Sequence, residues 1–357
     1  MPLSNQAPRS ATLRPSEAPA HARALRVLVI KDRREGHYHL SYGIVSAIET
    51  LTPVAAAHCE VQRRLPGRIA ATMVGMGLPP PLLLRTIYGL DAGTLPACDI
   101  VVSSGAETLA ANIAAARMFR ARNVFYGSLR AFKASDFSLV LTSYAADVQH
   151  PNQHMVLKPS ALTLTPRQDR GRLDDPERPP VGALLLGGDS GESRFTDTDW
   201  TAIADLMLGL SRERSIRWVV SNSRRTPSAV SDRFAALAAT QPDVVIDFVD
   251  VRTTGPGTIG RVLDPADFVL CTDDSSSMIS EAIGVGLRVV GLKPQSQTLT
   301  EHEANYRHYL EGLGGYCSVD LRNSAPHHLI KILNLINPVA SHKDPCLLTA
   351  LEAFLVF

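Results

Sequence analysis

The chain has 357 residues, which is more than one typical domain holds and suits two domains. Hydrophobic residues make up 45%, charged residues make up 20%, and the formal net charge is +1, so the chain has the balance of a soluble globular protein and no charge excess that favours a nucleic acid partner. The five cysteines are scattered and form no CxxC pair, which disfavours a zinc site or a disulfide framework and favours a reducing compartment.

The first 23 residues are rich in Pro, Ala, Ser and Arg, and they lack the continuous apolar core of a signal peptide. We expect a disordered tail at 1–23, with a transit-like presequence as the alternative. No apolar run in the sequence approaches the roughly 20 residues that a transmembrane helix needs. These features favour a cytoplasmic protein.

Short apolar runs alternate with helical patterns along the first half, which predicts a parallel sheet. The polar stretch 31–39 (KDRREGHYH) is interpreted as a loop after the first strand. Helices are predicted at 41–51 and 107–119. Strands are predicted at 26–30, 69–74, 99–102, 123–126 and 137–141.

A polar, Pro-rich stretch at 165–180 has the composition of a linker, and a second alternation follows it. We therefore expect a Rossmann-like domain at 24–165, a linker at 166–180 and a second Rossmann-like domain at 181–338. A helix within 339–357 is expected to pack back on the first domain. In the second half, strands are predicted at 181–186, 216–220, 244–248, 267–270 and 288–291, and helices at 198–212, capped by Asp197, and at 229–239.

Ligands of open parallel sheets bind outside the carboxyl ends of the strands, so the residues after each strand are the candidates for a site. One strand of the second half ends in a Gly-rich loop whose backbone N–H groups could approach an anion, although a bare turn is the alternative. Another strand ends in two adjacent arginines, which suit a phosphate unless they form a solvated surface pair. These candidates are Gly187, Gly188, Ser190, Gly191, Arg224 and Arg225.

Three serines precede the helical pattern after the strand at 267–270. Ser275, Ser276 and Ser277 either cap this helix or form an anion site at its N-terminus. Glu281 lies one turn further and would accept hydrogen bonds from ribose hydroxyls. A diphosphate beside a ribose describes a nucleotide-sugar. Asp273 and Asp274 remain unexplained, because acids beside a diphosphate are unfavourable unless they point away or orient the loop.

The first half supplies the candidates for acceptor binding. His37 follows Gly36 and would act as general base near neutral pH, unless it is an ordinary surface histidine. No carboxylate cluster supports a metal site at His37 and His39, and none is expected. The apolar stretch 75–90 is interpreted as core or lid, or as a contact with a membrane surface or lipid-linked acceptor. The remaining acceptor-binding candidates, all after one strand, are Ser103, Ser104, Gly105 and Glu107.

Two segments carry a resemblance to a known family. The stretch 219–227 (VVSNSRRTP) resembles the S-R-R-T-P segment of the ELM-type mitochondrial fission proteins, whose bacterial members are described as candidate glycosyltransferases. The stretch 271–282 (CTDDSSSMISEA) resembles the V-T-x-D-S-x-S-M-x-S-E-A segment of that family, and 99–105 (DIVVSSG) also fits. The resemblance covers about residues 25–320.

The layout is similar, more remotely, to the GT-B glycosyltransferase that adds N-acetylglucosamine to the peptidoglycan lipid intermediate. The positions that match are Gly36–His37, the loop 187–191 and Ser280–Glu281, whose glutamate holds the donor ribose in that enzyme family. The loop KDRREGH is poorer in glycine than its counterpart there, so the acceptor side departs most from the pattern.

The resemblance implies a GT-B fold of the α/β class, in which two Rossmann-like domains with parallel sheets face each other across a cleft. It implies a glycosyltransferase that moves a sugar from a nucleotide-sugar to a cell-envelope or polysaccharide acceptor, with no obligatory metal or cofactor. The expected location is the cytoplasm, with the inner face of the membrane as an alternative. An epimerase on the same fold and a non-catalytic interaction protein are the alternatives.

Overall fold

The computed structural model describes residues 23–167, 170, 171, 173, 175, 178–255, 257–337 and 344–356. The expected tail lies outside the described residues except for Arg23, as do parts of the expected linker and residues 338–343. The described chain forms two six-stranded sheets in which every pairing is parallel, together with a short two-stranded ribbon. The predicted α/β class with two parallel sheets is confirmed.

The first sheet contains the first six strands of the chain. Its strands are β1 (Leu25–Lys31), β2 (Val54–Glu60), β3 (Ile100–Ser104), β4 (Arg122–Tyr126), β5 (Leu139–Thr142) and β6 (Gln153–Met155). Its helices are α1 (Glu35–Glu49), α2 (Gly67–Gly75), α3 (Pro80–Tyr88) and α4 (Leu109–Phe119). The strand order is β2-β1-β3-β4-β5-β6. Helices cover both faces of this sheet, so β3 is buried throughout. Its sequence is a continuous apolar run that ends in two serines.

The second sheet has the order of a doubly wound nucleotide-binding domain. Its strands are β7 (Val181–Leu185), β9 (Arg217–Ser221), β10 (Val245–Val249), β11 (Phe268–Thr272), β12 (Arg288–Lys293) and β14 (Tyr316–Asp320), and the ribbon pairs β8 (Ser193–Arg194) with β13 (Ser296–Gln297). The order β10-β9-β7-β11-β12-β14 is the 3-2-1-4-5-6 arrangement of a Rossmann fold. Its helices are α5 (Asp197–Arg214), α6 (Ser228–Thr240), α7 (Val251–Thr254), α8 (Ile259–Leu263), α9 (Ser276–Gly284), α10 (Glu301–Gly312) and α11 (Pro326–Leu335).

The strand order reverses at one point in each sheet, and a crevice opens there at the carboxyl ends of the strands. In the first sheet the reversal lies between β1 and β3, and in the second it lies between β7 and β11. The loops that leave these four strands contain most of the residues predicted to bind substrate. The topology therefore explains why the candidate residues of each half lie together.

The last described helix, α12 (Pro345–Leu355), packs against the first sheet although it follows the second sheet in the chain. Leu351 and Phe354 are buried in the same apolar cluster as Val27 and Ile44. The Arg122 guanidinium lies 4.1 Å from the centroid of the Phe354 ring. The chain thus crosses from the first sheet to the second and back again.

The segment between the sheets is fastened to the base of β11 by one buried carboxylate. The Asp267 side chain is fully shielded and accepts hydrogen bonds from Arg167, from both terminal nitrogens of Arg178 and from the Val181 amide. The described part of the linker therefore contacts the amino end of β11, which is the end of the sheet opposite the crevice.

Three sequence-based predictions of local structure are wrong. The stretch 69–74 is not a strand but part of α2, because Ala70 and Val74 are buried four residues apart on one helix face; the strand of this region is β2, which sequence analysis missed. The loop predicted at 31–39 ends early, because α1 already begins at Glu35. The cap of α5 is Thr196 rather than Asp197, since Thr196 and Asp199 form a capping box.

Within the described part of the chain, none of the helices is both long enough and apolar enough to cross a membrane.

Candidate active site

His37 lies in the first turn of α1, at the crevice of the first sheet, and not in the predicted loop. Its Nδ1 is 2.7 Å from Oδ2 of Asp32, whose side chain is 1% exposed. The other oxygen of Asp32 accepts a hydrogen bond from the Arg34 amide at 3.0 Å. The His37 ring itself is about one-third exposed, with a side-chain accessibility of 30%. An oriented imidazole with an open edge is the arrangement that a general base requires.

Gly105 allows the His37 ring to occupy this position. Its φ of +88° lies in the left-handed region, and a Cβ built on it would lie 2.2 Å from Nδ1 of His37. The predicted acceptor residue Gly105 thus borders the candidate base directly.

The structure corrects the prediction that Ser103 and Ser104 bind the acceptor. Both side chains are buried and hydrogen-bonded within the domain, and they do not face the crevice. The Ser103 hydroxyl accepts a hydrogen bond from the Asn112 amide at 2.9 Å. The Ser104 hydroxyl donates to the His37 carbonyl oxygen and so fixes the start of α1. Their role is to support the crevice, and only Gly105 and Glu107 of the four predicted acceptor residues line its cavity.

The cavity beside His37 has a volume of about 330 Å³. Besides His37 and Glu107 its lining includes three arginines, Arg34, Arg63 and Arg130, that sequence analysis did not single out. They come from three separate loops, and no spacing in the sequence relates them.

The Gly-rich loop of the second half packs tightly against the loop after β11. A Cβ on Gly187 would meet the Asp274 carboxylate at 2.2 Å, and one on Gly188 would meet the Arg225 carbonyl oxygen at 2.1 Å. The Gly187 amide donates to Thr272 Oγ1 at 2.6 Å, and the Gly188 amide donates to Asp274 Oδ2 at 3.2 Å. The Gly188 N–H group that was predicted to hold a diphosphate therefore already holds a carboxylate of the protein.

The two predicted arginines are not equivalent. The Arg225 guanidinium lies 2.6 Å from Oδ2 of Asp274, whose side chain is fully shielded. Arg224 is exposed and has no ion pair among the described residues. Burial raises the pKa of Asp274, and its Oδ1 has no hydrogen-bonding partner among the described residues. Arg224 is thus the arginine of the pair that is open to a phosphate.

The other two residues of the Gly-rich loop have different functions. The Ser190 hydroxyl accepts hydrogen bonds from the Glu192 and Ser193 amides and so closes a turn before β8. Gly191 has open space around its Cα, so no contact requires a glycine there. Thr226 joins this loop to the arginine loop, because its hydroxyl donates to the carbonyl oxygens of Leu186 and Gly187.

The N-terminus of α9 lies at the crevice between β7 and β11. Ser275 occupies the N-cap position, but its side chain caps no backbone N–H group, contrary to the capping alternative. The Ser276 hydroxyl accepts a hydrogen bond from Lys158 Nζ, and the ammonium lies 5.1 Å from the centroid of the Tyr306 ring. Burial lowers the pKa of Lys158 to about 8. An uncapped helix start beside a lysine is a strongly anion-attracting position.

Glu281 lies one turn inside α9 and is half-buried. No described residue donates a hydrogen bond to its carboxylate. This burial raises its pKa to about 7. The side chain is therefore an acceptor with unused capacity, as the sequence interpretation requires of a ribose-binding group.

Asp273, left unexplained by the sequence, is a structural anion. Its carboxylate accepts a hydrogen bond from the Tyr316 hydroxyl and another from Gln297 at 3.2 Å, and it lies 3.4 Å from Nε of Arg307. Arg307 Nη2 also donates to the Asp273 carbonyl oxygen at 2.7 Å. Asp273 points away from the crevice and holds the loop before α9 in place.

Residues of the two sheets meet through α10. The Tyr144 hydroxyl, after β5, donates to Glu303 at 3.1 Å, and the Lys158 amide donates to the Tyr306 hydroxyl at 3.0 Å. Sequence analysis missed Lys158 and Tyr306; the partners of Lys158, Tyr306 and Ser276, lie more than 100 residues from it. A signal was available for Asp32, since an acid directly after β1 and a histidine five residues later lie at one strand end.

Among the residues that the structure describes, no group of three or more His, Cys, Asp and Glu side chains is arranged to hold a metal ion.

The fold and the two crevices place the protein among two-domain α/β proteins, and several solved structures have a similar fold. A UDP-GlcNAc 2-epimerase of Methanocaldococcus jannaschii has a TM-score of 0.51 and 12% identity, covering 92% of this chain and 99% of that chain. A Listeria monocytogenes protein described as a UDP-N-acetylglucosamine 2-epimerase has the same score and identity, covering 90% and 93%. MurG of Acinetobacter baumannii has a TM-score of 0.49 and 12% identity, covering 92% and 99%. The protein has a GT-B fold, as the sequence predicted.

The particular family is that of the mitochondrial fission ELM1 proteins, to which this chain belongs: the family model matches residues 35–320. The resemblance stated from the two sequence segments is confirmed. No curated protein matches the sequence.

Proposed function

We propose that the protein transfers a glycosyl group from a nucleotide-sugar to an acceptor hydroxyl. The observation that carries this proposal is the His37–Asp32 pair at the crevice of the first sheet. In this proposal the Nδ1–H group of His37 donates to the Asp32 carboxylate, and Nε2 is left as the base. Nε2 removes the acceptor proton, the acceptor oxygen bonds to the anomeric carbon, and the bond from that carbon to the diphosphate breaks.

The second sheet supplies the donor site in this proposal. The diphosphate binds at the N-terminus of α9, near Ser276 and Ser277, where Lys158 and Arg224 add positive charge. Negative charge develops on the diphosphate as it leaves, so these groups stabilise the transition state. Glu281 accepts hydrogen bonds from the ribose hydroxyls. This charge stabilisation uses groups of the protein and needs no obligatory metal.

Each domain has its own function in this proposal. We assign residues 24–165 to acceptor binding, 181–338 to the nucleotide-sugar, 166–180 to the connection and 339–357 to support of the first domain. Ile69, Met76 and Leu82 of the α2–α3 region are exposed apolar side chains, at 49%, 69% and 46%. Their exposure supports contact with the inner face of a membrane and a lipid-linked or polysaccharide acceptor.

The proposal is tested first by nucleotide binding. Thermal shift with UDP, GDP, CDP and CMP and their sugars is expected to raise the melting temperature for one base, and Glu281→Gln is expected to remove most of that rise. No shift with any of them would contradict the donor site and favour a non-catalytic interaction protein.

The donor identified in this way then separates transfer from epimerisation. With donor alone, a transferase leaves the sugar configuration unchanged, whereas an epimerase rearranges it and needs no acceptor. Mass spectrometry and NMR of the sugar after incubation distinguish the two reactions. We expect no rearrangement, because the buried Asp32 is bonded to His37 and Glu107 is the only carboxylate among the described residues that line the cavity.

A further inference from the structure

The cavity next to His37 carries an excess of positive charge that deprotonating a neutral hydroxyl does not require. Three guanidinium groups and one carboxylate line it, which leaves an excess of two positive charges when His37 is neutral. None of the three arginines forms an ion pair with a carboxylate of the described residues. Unpaired arginines around a concave site are characteristic of a site for an anion.

Arg63 is fixed at the cavity by a hydrogen bond, and Arg130 has a strained backbone there. Arg63 Nη1 donates to the Ala106 carbonyl oxygen at 3.0 Å, which fixes its guanidinium beside Gly105 and leaves its other N–H groups for a ligand. Arg130 has a φ of +56°, in the left-handed region that a non-glycine residue enters only at the cost of strain. A glycine would relieve that strain.

We propose that this cavity binds a phosphate ester carried by the acceptor, beside the hydroxyl that His37 deprotonates. The inference rests on the proposed function and names its acceptor class. A phosphate monoester carries about −1.5 to −2 charges at pH 7, which matches the excess of the lining better than the single charge of a carboxylate does. Its three oxygens suit forked contacts from Arg34, Arg63 and Arg130 together.

The test observes binding at His37 itself and needs no donor. The protein is labelled with [13Cε1]-histidine, and the His37 resonance among the eleven histidines is assigned from its loss in His37→Gln. Methyl phosphate is titrated at constant ionic strength, and a saturable shift of the His37 resonance is expected. Because neither a nucleotide nor turnover is involved, this result is independent of whether glycosyl transfer is detected.

Matched variants assign the shift to the cavity. Arg34→Gln, Arg63→Gln and Arg130→Gln combined are expected to weaken binding at least tenfold, whereas Arg68→Gln, Arg85→Gln and Arg120→Gln, which remove three arginines that do not line this cavity, leave it within twofold. No saturable shift in the wild type, or equal affinity in the cavity variant, overturns the proposal.

A single substitution guards against misfolding of the triple variant. Arg130→Gly is expected to keep or raise the melting temperature, because glycine adopts a positive φ freely, and to weaken methyl phosphate binding severalfold. Arg120 also has a positive φ, of 52°, at the far end of α4, so Arg120→Gly is its control and leaves binding unchanged. Unweakened binding in a folded Arg130→Gly protein contradicts a phosphate contact from Arg130.

A second pair of probes identifies the source of the phosphate. Farnesyl phosphate represents a lipid carrier and glucose 6-phosphate represents a soluble sugar, and each competes with methyl phosphate at His37. Tighter binding of either one supports the proposal and names the source. Failure of both to compete contradicts it.

Discussion

Nδ1 of His37 and Oδ2 of Asp32 are 2.7 Å apart, and the Asp32 side chain is shielded from solvent. The hydrogen bond between these two side chains sets the tautomer and the orientation of the His37 ring. Its placement at the reversal between β1 and β3 brings the free ring edge to the crevice in which open α/β sheets bind ligands.

The first prediction concerns this pair. Asp32→Asn keeps the size of the side chain but can stabilise the wrong tautomer, so kcat is expected to fall by about 10²–10⁴, the usual range for loss of general base catalysis. The Kd for the nucleotide, measured by equilibrium dialysis, should stay within about twofold. Asp91→Asn, at an exposed turn, is the control and should leave both values unchanged. An equal loss of kcat and nucleotide affinity would remove His37 from the role of base.

The second prediction is a bell-shaped pH dependence of nucleotide binding. The Glu281 carboxyl group accepts hydrogen bonds from ribose more strongly when it is ionised, and its pKa is raised to about 7, so affinity should increase as the pH rises through 7. Lys158 attracts the diphosphate only when it is charged, and its pKa is lowered to about 8, so affinity should decrease above that pH. Titration calorimetry from about pH 5.5 to about pH 9.5 measures both limbs, because this range extends below the lower pKa and above the higher one.

Two variants assign the limbs of that profile. Glu281→Gln should lose the acidic limb and bind about tenfold more weakly at its optimum, as expected for one hydrogen-bonded charged group. Lys158→Met should lose the alkaline limb. If each variant keeps both limbs, these two groups do not contact the nucleotide.

The third prediction concerns the stability of the same glutamate. Burial raises the folded-state pKa of Glu281 above its ordinary value of 4.5, so the folded state holds its proton more tightly than the unfolded chain does. Its contribution to stability is therefore complete below about pH 4.5 and is lost as the pH rises through 7. Glu281→Gln should gain about 1–2 kcal/mol relative to the wild type between pH 5 and pH 8, measured by urea unfolding at each pH. A gain that does not depend on pH would contradict the shift.

The fourth prediction concerns Asp274. Its carboxylate occupies the Gly188 amide and the Arg225 guanidinium, two groups that would otherwise suit a phosphate. Asp274→Asn keeps the shape and removes the charge, so nucleotide diphosphate should bind about tenfold more tightly at low salt. The control is Asp189→Asn, which removes an exposed charge from the same loop. Weaker binding in Asp274→Asn would instead show that the carboxylate positions Arg225 for the ligand.

The fifth prediction compares glycines. Gly105→Ala combines a positive φ with a clash at His37, so it should destabilise the fold by about 1–3 kcal/mol and lower turnover. Gly191→Ala meets open space and should change neither quantity. Thermal unfolding and steady-state kinetics of the two variants provide the comparison, and equal behaviour of both would contradict the close approach of His37 to Gly105.

The strands of both sheets were largely predictable, because a strand buried on both faces is a short continuous apolar run, as in β7 and β11. The exceptions have local causes. Alternating small residues conceal β2, and 69–74 is apolar enough to resemble a strand although Ala70 and Val74 give a helical spacing.

The site was predictable only where its residues follow strands. Gly187, Ser275 and His37 all do, and topology brings them to the crevices. The directions of the side chains in the site could not be predicted, because they depend on partners that lie far away in the sequence. Asp274 turns to Arg225 and Gly188, and Lys158 reaches Ser276 across 118 residues.

The position of α12 has a consequence for the order of folding during synthesis. Val27 and Ile44 are made before the second sheet, but Leu351 and Phe354, which complete their apolar cluster, are made only after it. Until then this face of the first sheet is exposed, while the second sheet can already close around β7. The second half is therefore expected to mature first, and the nascent first half is the region that a chaperone would recognise.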